Sequence, residues 1–185
     1  MHAISLWFLT YALPAFVTGG IIQFFSRYKS NPKRDGMIIH AGLLLSILAS
    51  QYALYLNGSV FPWSPHILSF LFFIASVLFA SRMLGMFGVW YALSAFLQQL
   101  TILSSSFLLL TFLSLPIVVL LIVPIFALGH AQDVRHRCIR IIVISLWGAA
   151  SISLFSIMHD LYFLAALHTM LGVIGIQRKI MYPQK

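Results

Sequence analysis

Two apolar stretches near the end of the chain, separated by two polar residues, decide how this sequence folds. Ile139–Met158 reads IRIIVISLWGAASISLFSIM, His159 and Asp160 follow, and Leu161–Ile176 reads LYFLAALHTMLGVIGI. A helix that crosses the roughly 30 Å apolar layer of a bilayer needs about 17–25 residues, most of them apolar. One continuous helix would leave His159 and Asp160 in hydrocarbon, so the pattern predicts two membrane helices joined by a tight turn.

The rest of the chain has the same character. Of its 185 residues, 61% are hydrophobic and 8% are charged, and the mean hydropathy is +1.00. Soluble domains are about 45–50% apolar and about 25% charged, so a soluble globular domain, a disordered chain and a collagen-like repeat are excluded. The sequence predicts an all-α, polytopic transmembrane bundle in which residues 1–185 form one integral membrane domain and no soluble domain. The seven predicted spans are about 3–25, 37–57, 64–81, 84–102, 107–129, 139–158 and 161–176.

The basic residues predict the orientation of these spans. The eleven Lys and Arg residues lie in four segments of the chain. These segments follow span one, lie between spans three and four, lie between spans five and six and at the start of span six, and follow span seven. With seven spans these segments share one side, which the positive-inside rule makes cytoplasmic. We therefore predict an N-out, C-in protein of the bacterial plasma (inner) membrane, with membrane lipid rather than nucleic acid as the partner of its +8 charge. The basic residues are Arg27, Lys29, Lys33, Arg34, Arg82, Arg135, Arg137, Arg140, Arg178, Lys179 and Lys185.

The acidic residues exclude several chemistries. Asp35, Asp133 and Asp160 are the three aspartates, and the chain has no glutamate. Proton relays and ion pumps usually need a carboxylate inside the bundle, and glycosidases need a carboxylate pair. None of the three aspartates lies inside a predicted span, so these activities and intramembrane aspartyl proteolysis are not expected. The single thiol, Cys138, forms neither an intramolecular disulfide nor a Cys-rich metal centre.

Small residues and amides line one face of span four, and spans six and seven carry similar stripes. Simple helix packing explains such stripes, because small residues let helices approach closely in lipid. Polar groups in mid-membrane are also candidate sites, and the three spans would form a polar path if they are neighbours. The stripes are Gly85, Gly88, Ala92, Ala95, Gln98 and Gln99 in span four, Ser145, Ala149, Ser153 and Ser156 in span six, and Ala165, His168, Thr169, Gly172 and Gly175 in span seven. From them we predict a substrate-binding site formed by His168, Gln98, Gln99, Thr169 and Ser153.

Three prolines predict broken helices. Pro14 lies inside the first span, and Pro116 and Pro124 lie inside the fifth. Proline removes a backbone donor and kinks a helix, and broken helices often line transporter sites.

The histidines offer a weaker possibility of metal binding. His66, His159 and Asp160 lie at the predicted outer face and are weak candidates for metal ligands. No HxxxH, HExxH or HxxHH spacing occurs in the sequence, so no metal or other cofactor is expected. His168 is the one histidine near the predicted midplane, where it is either a functional group or a neutral ring bonded to Ser or Thr.

Two resemblances to known families are slight. Residues 148–151 (Gly-Ala-Ala-Ser) with His168 on the next span faintly resemble a rhomboid-like Ser/His dyad, but the Gly-x-Ser-Gly motif is missing. Seven spans with prolines in the first and fifth resemble, in topology, the sugar-efflux and PQ-loop transporters. Pro14 is followed by Ala15, so no Pro-Gln pair is present and no functional residue is transferred from that family.

Together these patterns predict a small, permease-like membrane protein rather than an enzyme. It would handle a neutral or lipid-like small molecule without carboxylate-based ion coupling. Two alternatives fit the same patterns: an accessory or assembly subunit bound to partner membrane subunits, and a membrane subunit that ligates haem or metal through histidine.

Overall fold

The computed structural model describes residues 3–26, 32–130 and 137–177, and it is all-helical across them. No β-strand occurs in these ranges. The all-α class predicted from hydropathy is therefore confirmed. The elements are α1 (Ala3–Trp7), a π-helical turn (Phe8–Ala12), α2 (Leu13–Ser26), α3 (Pro32–Leu56), α4 (Ile67–Leu84), α5 (Met86–Leu110), α6 (Leu115–His130), α7 (Arg137–Met158) and α8 (Leu161–Gln177).

Five helical segments are long and apolar enough to cross a membrane, which indicates an integral membrane protein. The apolar segments of α6 and α8 are shorter, at Leu115–Leu128 and Leu161–Gln177. The count of seven spans and their orientation stay predictions. The five segments are Ala3–Phe24, Arg34–Leu56, Ile67–Leu84, Met86–Leu110 and Ile141–Met158.

The boundary between the fourth and fifth helices differs from the predicted one. The sequence pattern ends span four near Ile102 and begins span five near Phe107, with three consecutive serines, Ser104–Ser106, between them. In the structure α5 continues through them to Leu110, and a short turn precedes Leu115. Pro116 is consequently the second residue of α6, where a missing N–H costs little, and it does not break the helix. Pro124 does lie inside α6.

Helix α5 lies at the centre of the bundle and packs against α3, α4, α6, α7 and α8. Gly88 lets α4 fold back closely, because a Cβ there would overlap the Ala80 carbonyl. Gly172 of α8 similarly lies against the phenol of Tyr91 in α5. Gly85 is not part of the stripe on α5, since it forms the turn after α4 with a φ of 62°.

The first span contains the π-helical turn immediately before Pro14. In this turn the Leu13 N–H donates to the Phe8 carbonyl, five residues earlier. Pro14 has no N–H to donate to the Thr10 carbonyl, and the Ser46 hydroxyl of α3 donates to that carbonyl instead. The side chain of a neighbouring helix thus satisfies a backbone group that proline would otherwise leave unpaired in an apolar layer.

Hydroxyl groups continue along the contact between α3 and α5. The hydroxyls of Ser50 and Ser105 are 2.9 Å apart and hydrogen-bonded. Thr101 donates to the Leu97 carbonyl of its own helix at 2.8 Å. We call Ser46, Ser50, Thr101 and Ser105 the serine seam. Each of its four hydroxyls has a partner.

Candidate functional site

A buried pair, Gln99 of α5 and His168 of α8, lies at the centre of the candidate site. The side-chain amide nitrogen of Gln99 is 3.0 Å from Nδ1 of His168. Both residues lie near the middle of their helices, and they are 0% and 6% exposed. The close approach at Gly172 brings α8 against α5 and makes this contact possible.

This hydrogen bond leaves the other end of the Gln99 amide without a partner. With the amide nitrogen donating to Nδ1, the ring proton of His168 is on Nε2, and Oε1 of Gln99 is buried and unpaired. In this orientation the unpaired Oε1 is a buried polar atom, and leaving such an atom unpaired costs about 1–3 kcal/mol.

Helices α6 and α7 complete the surroundings of His168 with aromatic rings. The ring centroids of Phe126 and Trp147 lie 6.3 Å and 6.0 Å from that of His168. The indole Nε1 of Trp147 is buried and has no hydrogen-bond partner. One turn further along α7, the hydroxyl of Ser151 is also buried without a partner.

We call Gln99, Trp147, Ser151 and His168 the central polar cluster. Four buried side-chain atoms lack a hydrogen-bond partner in the described ranges, and three of them belong to this cluster. The fourth is Nε2 of His40, near the start of α3. Since buried polar groups in proteins are normally paired, three such atoms on two adjoining helices make the cluster the candidate site within the described ranges.

The structure brings together two of the five residues predicted from sequence. Gln99 and His168 are bonded, whereas the amide of Gln98 reaches Ser94 on its own helix at 3.5 Å. The buried hydroxyl of Thr169 donates to the Ala165 carbonyl one turn earlier, at 2.8 Å.

Ser153 lies on a different side of α7 from the cluster. It is half-buried, and two helical residues separate its direction from that of Ser151 by about 200°. The buried face of α7 carries Gly148 and Ser151 instead. The small-residue stripe that includes Ser153 is therefore not the face that meets His168.

Sequence reasoning missed Trp147 and considered Ser151 only as part of a Ser/His dyad. Tryptophan is typical of the membrane interface, so the unusual position of Trp147 near the middle of a predicted span is the sequence signal that could have identified it. The four-residue spacing of Trp147 and Ser151 places both on one face. Ser151 makes no hydrogen bond, so the Ser/His dyad is not formed.

The weak metal candidates have structural roles at a turn. Asp160 is buried and caps α8, its Oδ1 accepting from the Phe163 N–H at 3.0 Å. The His159 carbonyl accepts from the Ser64 N–H at 3.0 Å, and the His159 ring packs edge-on against Phe155. His66 is exposed at the start of α4. No three His, Cys, Asp or Glu side chains converge on a metal-binding position anywhere in the described part of the chain.

Several residues considered in the sequence lie outside the described side chains. They include Cys138 and every basic residue except Arg34 and Arg82. Arg34 forms an ion pair with Asp35 at 2.9 Å in the first turn of α3.

Comparisons with protein-family models, with curated proteins and with solved structures find no match to this chain.

Proposed function

We propose that the chain is a small, multi-pass permease that lets a neutral polar molecule cross the membrane through the central polar cluster. The observation that carries this proposal is the buried Gln99–His168 hydrogen bond with an unpaired amide end beside it. A polar group kept unpaired in an apolar bundle is costly, and a solute that pairs with it would offset that cost.

The neutrality of the solute is supported by where the charges lie. Arg34 and Asp35 lie in the first turn of α3, Arg82 lies in the last turn of α4, and Asp160 precedes α8, so the charged side chains that the structure describes lie near helix ends. The cluster itself contains no Asp, Glu, Lys or Arg. An ion entering it would lose its hydration without a counter-charge, which costs several kcal/mol. Passive passage of an uncharged molecule is the mode that this arrangement favours.

The proposal includes seven crossings, with the amino end of the first span outside. Helix α8 has 17 residues, about 25 Å of helix, which is at the short end of the range for a membrane span. It runs parallel to α4, from the contact of Phe163 with Phe72 to the hydrogen bond from Gln177 to the Met83 carbonyl. Helix α8 is thus about as long as α4, which is itself long enough to span a membrane. The distribution of Lys and Arg in the sequence supports a cytoplasmic C-terminus in a bacterial inner membrane.

The single cysteine of the chain offers a direct test of this orientation. A membrane-impermeant maleimide should label Cys138 in inverted membrane vesicles and leave it unlabelled in intact cells. A Cys138→Ser, Val60→Cys variant should show the reverse, because Val60 is 84% exposed in the connection between α3 and α4. Labelling of both positions from the same side would contradict seven crossings.

Transport is tested by light scattering of vesicles after rapid mixing with an osmolyte. Purified protein is reconstituted into phosphatidylcholine–phosphatidylglycerol vesicles, and glycerol and urea serve as neutral probes. We expect wild-type vesicles to admit at least one probe faster than protein-free vesicles, and His168→Leu to remove most of the increase. Ser105→Ala is the matched control, since it alters a buried polar residue of the seam and should retain the flux.

Two results would overturn the transport proposal. One is a wild-type rate equal to that of protein-free vesicles for both probes. The other is an unchanged rate in His168→Leu protein that elutes as a single species from a sizing column. A fluorescent-phospholipid flipping assay on the same vesicles separates a lipid-like cargo from a polar solute.

A further inference from the structure

The unpaired atoms of the central polar cluster define the kind of molecule that it binds. The indole Nε1 of Trp147 can only donate a hydrogen bond, and Oε1 of Gln99 can only accept one. The hydroxyl of Ser151 can do either. A molecule that satisfies all three must therefore carry both a strong acceptor and at least one N–H or O–H donor.

The aromatic surroundings favour a flat molecule. The rings of Trp147 and Phe126 lie close to the imidazole of His168, with interplanar angles of 59° and 76°. Aromatic faces pack well against planar groups, and the apolar ring carbons supply no further hydrogen bonds.

We infer that the cluster binds a small, uncharged, planar amide, such as urea or a short carboxamide. The carbonyl oxygen of the amide accepts from Trp147 Nε1, and an amide N–H donates to Gln99 Oε1. This inference rests on the proposed function and names the substrate class of the same site. An amide fits better than an alcohol because its donor and acceptor are separate groups held in one plane, so one molecule carries a partner for each of the two unpaired atoms.

Selectivity of flux is the first test of this inference. We expect the urea-to-glycerol permeability ratio of wild-type vesicles to exceed that of protein-free vesicles. Trp147→Phe, which keeps a ring but removes the N–H, should lower urea flux about tenfold, the change that 1.4 kcal/mol produces. The matched control is Trp90→Phe, because Trp90 is 59% exposed on the outside of α5 and its replacement should leave the ratio unchanged.

Binding without transport is tested separately, so that the inference and the proposed function can fail independently. Acetamide should raise the melting temperature of detergent-solubilised wild-type protein more than that of the Gln99→Leu variant. Glycerol at the same concentration should change the melting temperatures of the two proteins equally. Ser151→Ala is the second variant, since losing an unpaired hydroxyl leaves the fold intact while weakening the acetamide shift.

The outcomes distinguish the two proposals. Specific stabilisation by acetamide with no flux of any probe would support amide binding and contradict the permease. Flux of both probes with a urea-to-glycerol ratio that Trp147→Phe does not change would support a permease and overturn the amide specificity.

Discussion

The two sides of α5 carry buried polar residues of different kinds. Towards α3, the serine seam consists of short hydroxyl side chains that all have hydrogen-bond partners. Towards α7 and α8, the central polar cluster holds three buried polar atoms without one. The polar side chains on the two sides of α5 are thus equally buried, but those towards α3 are fully paired and those towards α7 and α8 are not. Burial of a polar residue in a membrane bundle does not by itself indicate function, whereas an unpaired polar group does.

Side-chain length accounts for Gln99 and Trp147, although the short hydroxyl of Ser151 is also unpaired. A Ser or Thr hydroxyl can bond a carbonyl one turn earlier in its own helix, as Thr101 does with Leu97 and Ser106 does with Ile102. The polar atoms of Gln99 and Trp147 lie at the ends of longer side chains and depend on other helices. Their pairing is therefore a property of the assembled bundle.

The largest expected effect comes from separating the helices that hold the cluster. In Gly172→Ala the new Cβ would overlap the phenol of Tyr91, so either the Tyr91 side chain or α8 must shift. We expect a loss of about 1–3 kcal/mol in unfolding free energy, as for other overpacked sites, together with loss of the flux. Denaturation in detergent and vesicle flux measure the two effects. Gly20→Ala is the control, because a Cβ there meets nothing within 4 Å; equal stability of the two variants would show that α8 does not depend on this contact.

Within the serine seam, we expect the largest loss of stability at Ser46, whose hydroxyl replaces the N–H that Pro14 lacks. Ser46→Ala removes the donor to the Thr10 carbonyl and should cost about 1–2 kcal/mol. In a Pro14→Ala background the same change should cost less than half as much, because the restored N–H at position 14 can bond that carbonyl. A double-mutant cycle of unfolding free energies measures the difference, and additive effects would contradict this role of Ser46. Flux should persist in Ser46→Ala.

The same substitution at two equally buried serines compares the two regions directly. Ser105→Ala strands the Ser50 hydroxyl and should cost roughly 0.6 kcal/mol, with about 1.7 kcal/mol as the upper end for bonds between membrane helices. Ser151→Ala removes an unpaired hydroxyl and should leave stability unchanged or raise it. Thermal unfolding of both variants in one detergent makes the comparison. A larger loss for Ser151→Ala would mean that this hydroxyl has a partner within the bundle.

The smallest effect is expected at Thr169, which the sequence pattern placed in the substrate site. Its hydroxyl bonds the carbonyl of Ala165 in its own helix, so Thr169→Val should change the unfolding free energy by less than about 0.5 kcal/mol and leave urea flux intact. The melting temperature and the urea flux of Thr169→Val are measured in parallel with those of His168→Leu. Loss of flux in Thr169→Val would extend the site along α8.

Local patterns predict the helices well and predict their contacts poorly. The turn at His159 and Asp160 lies between α7 and α8 as expected, because two polar residues in an apolar stretch are a strong local signal. The predicted end of span four near Ile102 is too early, because α5 continues through the serines at 104–106 to Leu110 and a hydroxyl that bonds its own helix is compatible with an apolar interior. Gln99 and His168 are 69 positions apart, and their pairing depends on which helices are neighbours. That information is non-local, as is the contact that places Trp147 beside His168.

The most direct test of the account is the urea permeability of vesicles that contain Gln99→Leu, normalised to the amount of reconstituted protein. Leucine removes both the bond to His168 and the unpaired amide oxygen, so the two effects on stability oppose each other while the polar site is lost. We predict that the protein-dependent flux falls about tenfold while Ser105→Ala vesicles keep the wild-type rate. Wild-type permeability in Gln99→Leu vesicles would contradict the claim that the central polar cluster is the functional site.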